Sequence, residues 1–327
     1  MSDFALTRRQ NCISEVTYLA TLKHYDTDET EYERQLLEDD PNPGGHASTY
    51  RFRASSRWDA FQLKYTAGES LDKLACELER VVAGFEEFVA ENDRKTETDY
   101  YPPLVLDDLI DTYVRYLNLL SVAVLLHRED LIPRIFGLIE GGDFDANDAV
   151  IEELLKFFIS GSPVLDSWIW EQPYRKLLDA IDDGDPIERA KLMKKYVGSW
   201  YRSMKGRAHF WGAHERIEPG FSPYSGYWAM CSGAFTYLYG IDDTSYRNEN
   251  VYPKDLVDYA RTTPRNPVVN SEGELVLRVI GGDRRAKEGI WFTPAKQNSA
   301  RHFSTDEIMP VVDSAEYGTT IWQWRST

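Results

Sequence analysis

The stretch that decides the fold is ESLDKLACELERVVAGFEEFVAEN, residues 69–92. Its apolar residues Leu71, Leu74, Leu78, Val81, Val82, Phe85, Phe88 and Val89 recur at i, i+3, i+4 and i+7. One face of an α-helix carries that period and a strand does not. Upstream, Tyr50, Trp58, Phe61 and Tyr65 can share a helical face over 46–66, and Gly68 punctuates. Further back, residues 4–25 mix polar and apolar residues at helical spacing. An acidic stretch follows over 26–45 and ends in the break Pro41-Asn42-Pro43-Gly44-Gly45. Downstream, Tyr101-Pro102-Pro103 interrupts the chain, and the strongly apolar residues 104–127 predict a buried helix.

The helical texture continues to about residue 262. Shorter helices fit 129–139, 146–159 and 165–180, separated by Gly141-Gly142-Asp143 and Gly161-Ser162-Pro163. Asp182-Asp183-Gly184-Asp185-Pro186 is an acidic turn whose end suits the start of a helix, with Pro near its first position. That helix is expected to run to about Ser203, with two more over 226–240 and 253–261. Beyond residue 263 the pattern changes. Glu274–Ile280 alternates and is β-branched, Gly289–Thr293 reads as a second short strand, and Ile308–Val312 and Thr319–Trp324 as two more. The expected architecture is mainly α: a two-part antiparallel helical array or bundle with a small β-rich C-terminal appendage. The division is 1–125, 126–262 and 263–327; the split into two helical parts rests on length and helix count.

With 327 residues, 42% of them hydrophobic and 13% aromatic, the chain has the material for a packed core. The acids number 54 against 37 bases, a formal charge of −17. Such a chain is a poor general binder of nucleic acid, whose phosphates demand Lys and Arg, and a poor ligand for anionic membranes. Cations and basic proteins are its natural partners. Cys12, Cys76 and Cys231 form no CxxC pair, which fits reduced thiols. The start, MSDFALTRRQNC, has no apolar signal core, and the longest apolar stretch, Leu117–Leu126, is interrupted by Asn118 and Ser121. A soluble, cytoplasmic protein is the expectation.

Sites for established chemistries are sparse. The Gly-Gly pairs at 44, 141 and 281 lack Walker and Rossmann spacing, and no GxSxG elbow exists, so no cofactor and no catalytic residue is expected. His209 and His214 lie five apart in HFWGAH, whereas ligands on one helix face prefer three or four, so no metal is expected. Asp107-Asp108, Asp182-Asp183 and Asp242-Asp243 are adjacent pairs, and neighbours on a helix face different ways.

Charge distribution says more. Residues 99–185 hold 18 acids and 6 bases, while 191–216 hold seven bases and one acid. Segregation of that kind costs stability through self-repulsion and does nothing for a core. It suits a negative face that meets a basic partner. The acids in or beside predicted turns, Asp143, Asp145, Asp148, Glu171, Asp182, Asp183 and Asp185, are the candidate contacts.

A family resemblance rests on several short motifs spread over residues 50–260. Tyr65-Thr66-Ala67-Gly68-Glu69-Ser70-Leu71 precedes a long helix. Trp200-Tyr201 and Trp211 are followed by Gly226-Tyr227-Trp228, then Asp242-Asp243, then Tyr252-Pro253-Lys254-Asp255-Leu256-Val257. In order and rough spacing this resembles the PoNi-type immunity proteins, bacterial antitoxins of PoNe-type DNase effectors and related nuclease toxins. The chain departs from the family at Ala229-Met230-Cys231-Ser232, where an acid often follows GYW, and in the length of its β-like segment. The residues themselves read as architecture: Gly68 and Gly226 start helices or allow close packing, the Trp and Tyr side chains fill the core, and Asp255 caps the helix after Tyr252-Pro253.

The resemblance implies a cytoplasmic, non-enzymatic inhibitor of a secreted antibacterial nuclease, delivered by a type VI or similar system. Occlusion is the physical route: a nuclease cleft is basic because it holds phosphates, and carboxylates can fill it. Tight binding would also need apolar anchors. A homodimer is compatible with a helical body. Two other classes stand beside this reading. A carboxylate-dependent hydrolase would need two acids across a cleft with separated pKa values, and a helical scaffold would bind a regulatory partner instead of a toxin.

Overall fold

A computed structural model describes residues 3–39, 46–95, 104–139, 147–159, 162–264, 268–269, 275–276, 278–280, 289–293, 299–304, 307–311 and 321–325. The chain is mainly α. The helices are α1 (Asp3–Thr7), α2 (Glu15–Leu36), α3 (Ala47–Ala67), α4 (Leu71–Lys95), α5 (Ile110–Leu125), α6 (Ile132–Gly137), α7 (Ala149–Leu155), α8 (Glu171–Asp182), α9 (Pro186–Ser203), α10 (Met230–Leu238) and α11 (Lys254–Thr262).

The deciding stretch forms α4, whose Leu74, Leu78, Val81, Val82, Phe85 and Phe88 are all buried. They pack against α3, which in turn packs against α2. Of the helix expected over 104–127, residues 110–125 form α5, buried on almost every side and covered by α10 and α11, while 104–109 are turns outside it. A helix with so little polar surface is stable only at the centre of a layered body. A single apolar cluster extends from Ile13 to Ala260.

Local chemistry sets the boundaries. Ser14 caps α2 by accepting the Thr17 N–H at 3.1 Å. Asp185 caps α9 by accepting the Ile187 N–H at 2.9 Å, with Pro186 opening the helix as its fixed φ allows. Gly68 ends α3 in the left-handed region at φ 98°, where a Cβ would sit 2.3 Å from the Thr7 carbonyl oxygen. Gly68 therefore terminates a helix rather than starting one.

Several segments differ from the sequence expectation. Residues 8–14 leave the helix expected over 4–25, because the Arg9 N–H bonds the Thr66 carbonyl at 2.8 Å. The acidic stretch after residue 26 stays helical to Leu36, supported by Arg34 bonding Glu31 one turn away. The 165–170 part of the helix expected over 165–180 is not helical, since its Ile169 N–H bonds Asp148 and its Ser167 carbonyl bonds the Ala149 N–H. Gly226–Ala229 is also outside any helix, with Gly226 at φ 127°, and the helix there begins only at Met230.

The C-terminal strands are β1 (Val268–Val269), β2 (Leu275–Val276), β3 (Arg278–Ile280), β4 (Gly289–Phe292), β5 (Arg301–Phe303) and β6 (Ile321–Arg325). β1 and β2 pair, and a four-stranded antiparallel sheet runs β3-β6-β4-β5, with Val279 opposite Trp322 and Ile290 opposite His302. Trp291, Phe303, Met309 and Trp322 form a second small core beneath it. β1 and β5 had no sequence signal, and residues 308–311 lie outside the named strands.

Candidate functional site

The sequence-selected acids separate into three groups. Asp143 and Asp145 lie outside the described residues. Asp148 is buried and spoken for: one carboxylate oxygen accepts the Val150 and Ile151 N–H groups at 3.0 Å and the Tyr113 hydroxyl at 2.9 Å, and the other accepts the Ile169 N–H at 2.9 Å. It caps α7 and fastens the irregular 165–170 segment to it. Asp148 presents no surface to a partner, and its position is explained by architecture.

Glu171, Asp182, Asp183 and Asp185 occupy the two ends of the α8–α9 hairpin. Glu171 opens α8, is exposed and pairs with Arg175 one turn on at 2.7 Å. Asp182, Asp183 and Asp185 make the turn between the helices. Asp183 accepts the Asp185 N–H through its side chain and Arg189 through its backbone carbonyl. Burial pushes the Asp182 carboxyl above the usual range and nearby Asp179 adds to this, against the charges of Lys156 and Arg189. The Asp183 and Asp185 side chains themselves hold this turn, accepting the Asp185 and Ile187 N–H groups, so the acidic array is ordered in advance and less ordering entropy remains to be lost on binding. Sequence reasoning missed the apolar residues beside them. Ile187, directly after the turn, is 80% exposed, and Val164, ahead of α8, is 71% exposed. Their apolar identity offered no signal, because only the fold decides which apolar residues stay outside.

The family-like motifs converge elsewhere, at a junction organised by the N-terminal segment. Arg9 donates through Nε to Asp255 at 2.8 Å and through Nη1 to the Tyr65 and Glu69 carbonyls, with its guanidinium 4.5 Å from the Tyr65 ring centre. Asp255 thus pairs with Arg9 instead of capping α11, whose cap position is Pro253. Gln10 is buried and donates to the Tyr227 carbonyl at 2.8 Å and the Asn250 carbonyl at 2.7 Å, while its side-chain oxygen accepts the Tyr227 N–H and the Tyr224 hydroxyl. Thr66 joins Trp228 Nε1 at 2.8 Å and the Ser225 carbonyl at 2.6 Å. Trp200, Tyr227 and Trp228 are core residues, as the sequence reading assigned them, and Trp211 is half-buried and stacks on Tyr201.

Two clefts flank this junction. One, of about 310 Å³, is walled by Trp58, Trp200, Phe210 and Trp228 and contains the acids Asp59 and Asp111. Asp111 accepts the His209 N–H at 3.0 Å and the Phe210 N–H at 3.1 Å, one on each oxygen, and so fixes the turn that follows α9. Asp59 faces Arg115, 4.0 Å away. Burial drives its carboxyl above the usual range, with Arg115 opposing and Asp111 adding to the rise. The second cleft, about 320 Å³, lies between the N-terminal segment and α11. Of the two histidines, His214 bonds the Tyr227 hydroxyl through Nδ1 at 2.7 Å, and His209 stands exposed beside Asp111. Among the described residues no group of three His, Cys, Asp or Glu side chains is placed to hold a metal ion. No helix among them is long and apolar enough to cross a membrane.

Comparison with known proteins agrees with the resemblance drawn from the motifs. Residues 146–256 match the family model described as PoNe immunity proteins (PoNi), C-terminal. That segment contains α7 to α10, the acidic hairpin and the GYW stretch. The crystal structure of protein PA2201 from Pseudomonas aeruginosa shares the fold, with a TM-score of 0.61 at 21% identity, over 78% of this chain and 91% of that one. No curated protein matches the chain.

Proposed function

We propose that this chain is an immunity protein that binds a PoNe-type nuclease toxin and blocks it by covering its basic cleft with an acidic surface. The observation that carries the reading is the PoNi family match over residues 146–256. Charge supports the mechanism: the chain carries −17, and a phosphate-holding cleft is positive. The α8–α9 hairpin is the proposed contact. Asp182, Asp183 and Asp185 steer and orient the toxin, Glu171 extends the acidic edge, and Ile187 supplies an exposed apolar anchor that carboxylates alone lack. The proposal places the protein in the cytoplasm, where it meets a toxin delivered by a type VI or similar system.

The test is survival of bacteria that express the neighbouring toxin gene, with and without this protein, alongside co-purification. Rescue by a stable complex is expected. In the triple variant Asp182→Lys, Asp183→Lys, Asp185→Lys, association should slow at least tenfold at low salt, and Ile187→Asp should mainly speed dissociation. Unchanged association of the triple variant would remove the hairpin from the interface.

The aromatic cleft favours a hydrolase less than its two acids suggest. Both oxygens of Asp111 already accept backbone N–H groups of the 209–210 turn, so its placement has a structural cause. Two-carboxylate hydrolysis needs both acids free to act on the substrate, and Asp111 is already engaged. Asp59→Asn should leave rescue intact, whereas loss of rescue with an intact fold would bring this cleft into the function.

A further inference from the structure

Helix α9 turns a basic face to solvent on an acidic chain. At about 3.6 residues per turn, Ile187, Lys191, Lys194, Lys195, Gly198 and Arg202 fall within an arc of about 100°. Each is exposed, and the arc lies directly opposite the buried stripe of Met193, Tyr196, Val197 and Trp200. Lys191 pairs with Glu188 at 2.8 Å, whereas Lys194, Lys195 and Arg202 make no ion pair among the described residues. The acidic turn of Asp182, Asp183 and Asp185 stands at the N-terminal end of the same helix. The face is therefore acidic at one end and basic along the rest.

The helix macrodipole accounts for the acids at the start of α9 and for Arg202 near its end. It does not account for the three lysines in the middle, nor for Gly198. A mid-helix glycine is a poor helix former, and a Cβ at Gly198 would meet nothing within 4 Å, so no contact inside the chain demands its small size. On an exposed face a missing side chain lets a second backbone come close. A face with opposite charges at its two ends is complementary to itself under a two-fold axis, and such an interface closes on a dimer. An axis midway between Ile187 and Gly198 seats the exposed Ile187 of one copy over the Gly198 gap of the other. Arg202 then lies about 14 Å from the axis along the helix, and the acidic turn at a similar distance on the other side, so the two meet. Lys191 and Lys194 approach each other near the axis, where the Glu188 carboxylate already paired with Lys191 offsets their charge. The −17 of each copy is screened beyond about 10 Å at moderate salt, which leaves the decision to these contacts.

We propose that the outer face of α9 is the contact of a homodimer, in which two copies pack antiparallel through it. The dimer is read from the chain alone. It covers the hairpin assigned above to the toxin, so on that reading the toxin displaces the second copy and the two complexes exclude each other. Sedimentation equilibrium of the full chain at moderate salt tests it. The face is small, so a weak dimer that depends on concentration is expected, present at about 50 µM chain. Gly198→Leu should weaken it at least tenfold and at the same time raise the unfolding midpoint of the dilute monomer, because leucine favours the helix. Arg202→Asp, at an exposed position where folding is not at risk, should weaken it at least fivefold. Lys23→Gln, on α2, should leave it unchanged. A chain that is monomeric at about 50 µM overturns the proposal. So does a dimer that keeps its affinity in both Gly198→Leu and Arg202→Asp. The toxin reading fails separately, through loss of rescue by the natural chain.

Discussion

Replacing Asp148 by alanine separates the structural reading of this acid from a contact role. The substitution strips four donors of their acceptor: the Val150, Ile151 and Ile169 N–H groups and the Tyr113 hydroxyl. Loss of the α7 cap costs about 1 kcal/mol. The Ile169 N–H and the Tyr113 hydroxyl are each left unpaired in a buried place, at about 1–3 kcal/mol apiece. Removing a carboxylate that burial already disfavours returns part of this, since burial pushes the Asp148 carboxyl up. A net loss of about 3 kcal/mol at pH 7 follows. Because the folded carboxyl titrates above the unfolded one, its contribution is fullest below the unfolded value and falls as pH rises through the folded one. The deficit of Asp148→Ala should therefore be larger near pH 4 than at pH 7. Urea unfolding at both pH values measures it, read from the midpoint at constant slope. A contact role predicts the reverse: a variant as stable as the natural chain with weakened toxin binding. A loss below about 1 kcal/mol at pH 7 would refute the reasoning, because a single cap already accounts for that much.

Three further outcomes are expected. Burial raises the Glu29 carboxyl, but the hydrogen bonds and charge of Arg57, with Arg80 and Arg53, outweigh it and hold it below the usual range. Glu29→Gln should cost about 2 kcal/mol at pH 7, and the gap to the natural chain should close as acid protonates Glu29 below its unfolded value of 4.5; a gap constant with pH would show that the charge of Glu29 is not what stabilises the pair. Gly226 sits at φ 127°, and a Cβ there would lie 2.2 Å from Thr66 Oγ1 and 2.3 Å from Trp228 Nε1. Gly226→Ala should lower stability by more than about 2 kcal/mol in thermal unfolding, and a neutral result would mean that the junction is loose. Finally, burial pushes the Cys231 thiol up to about 11, while Cys76 is exposed. A thiol reagent at pH 8 should modify Cys76 at once and Cys231 only on unfolding.

How much was legible in the sequence can be argued from particular elements. Periodicity over 69–92 set α4, and the length of the apolar run after Pro103 set α5, because a 3.6-residue repeat has few other outcomes. Pro186 after Asp185 placed the start of α9 at the end of the acidic turn, where the helix begins. The short motifs pointed to the PoNi-type family, which the match over 146–256 supports. What failed was the use of turn position as a measure of exposure. Asp148 and Asp185 both precede a helix and both cap it, yet one is buried under Tyr113 and the 165–170 segment while the other faces solvent. Local sequence specifies a cap; it carries no record of what packs over it. The same limit hid Ile187, apolar but outside, and the junction where Arg9 and Gln10 bind residues more than 200 positions away. Composition, period and charge therefore determined the helical class and the acidic character. Only the tertiary structure decided which carboxylates remain free, since burial and pairing are set by chain segments that meet after long loops close.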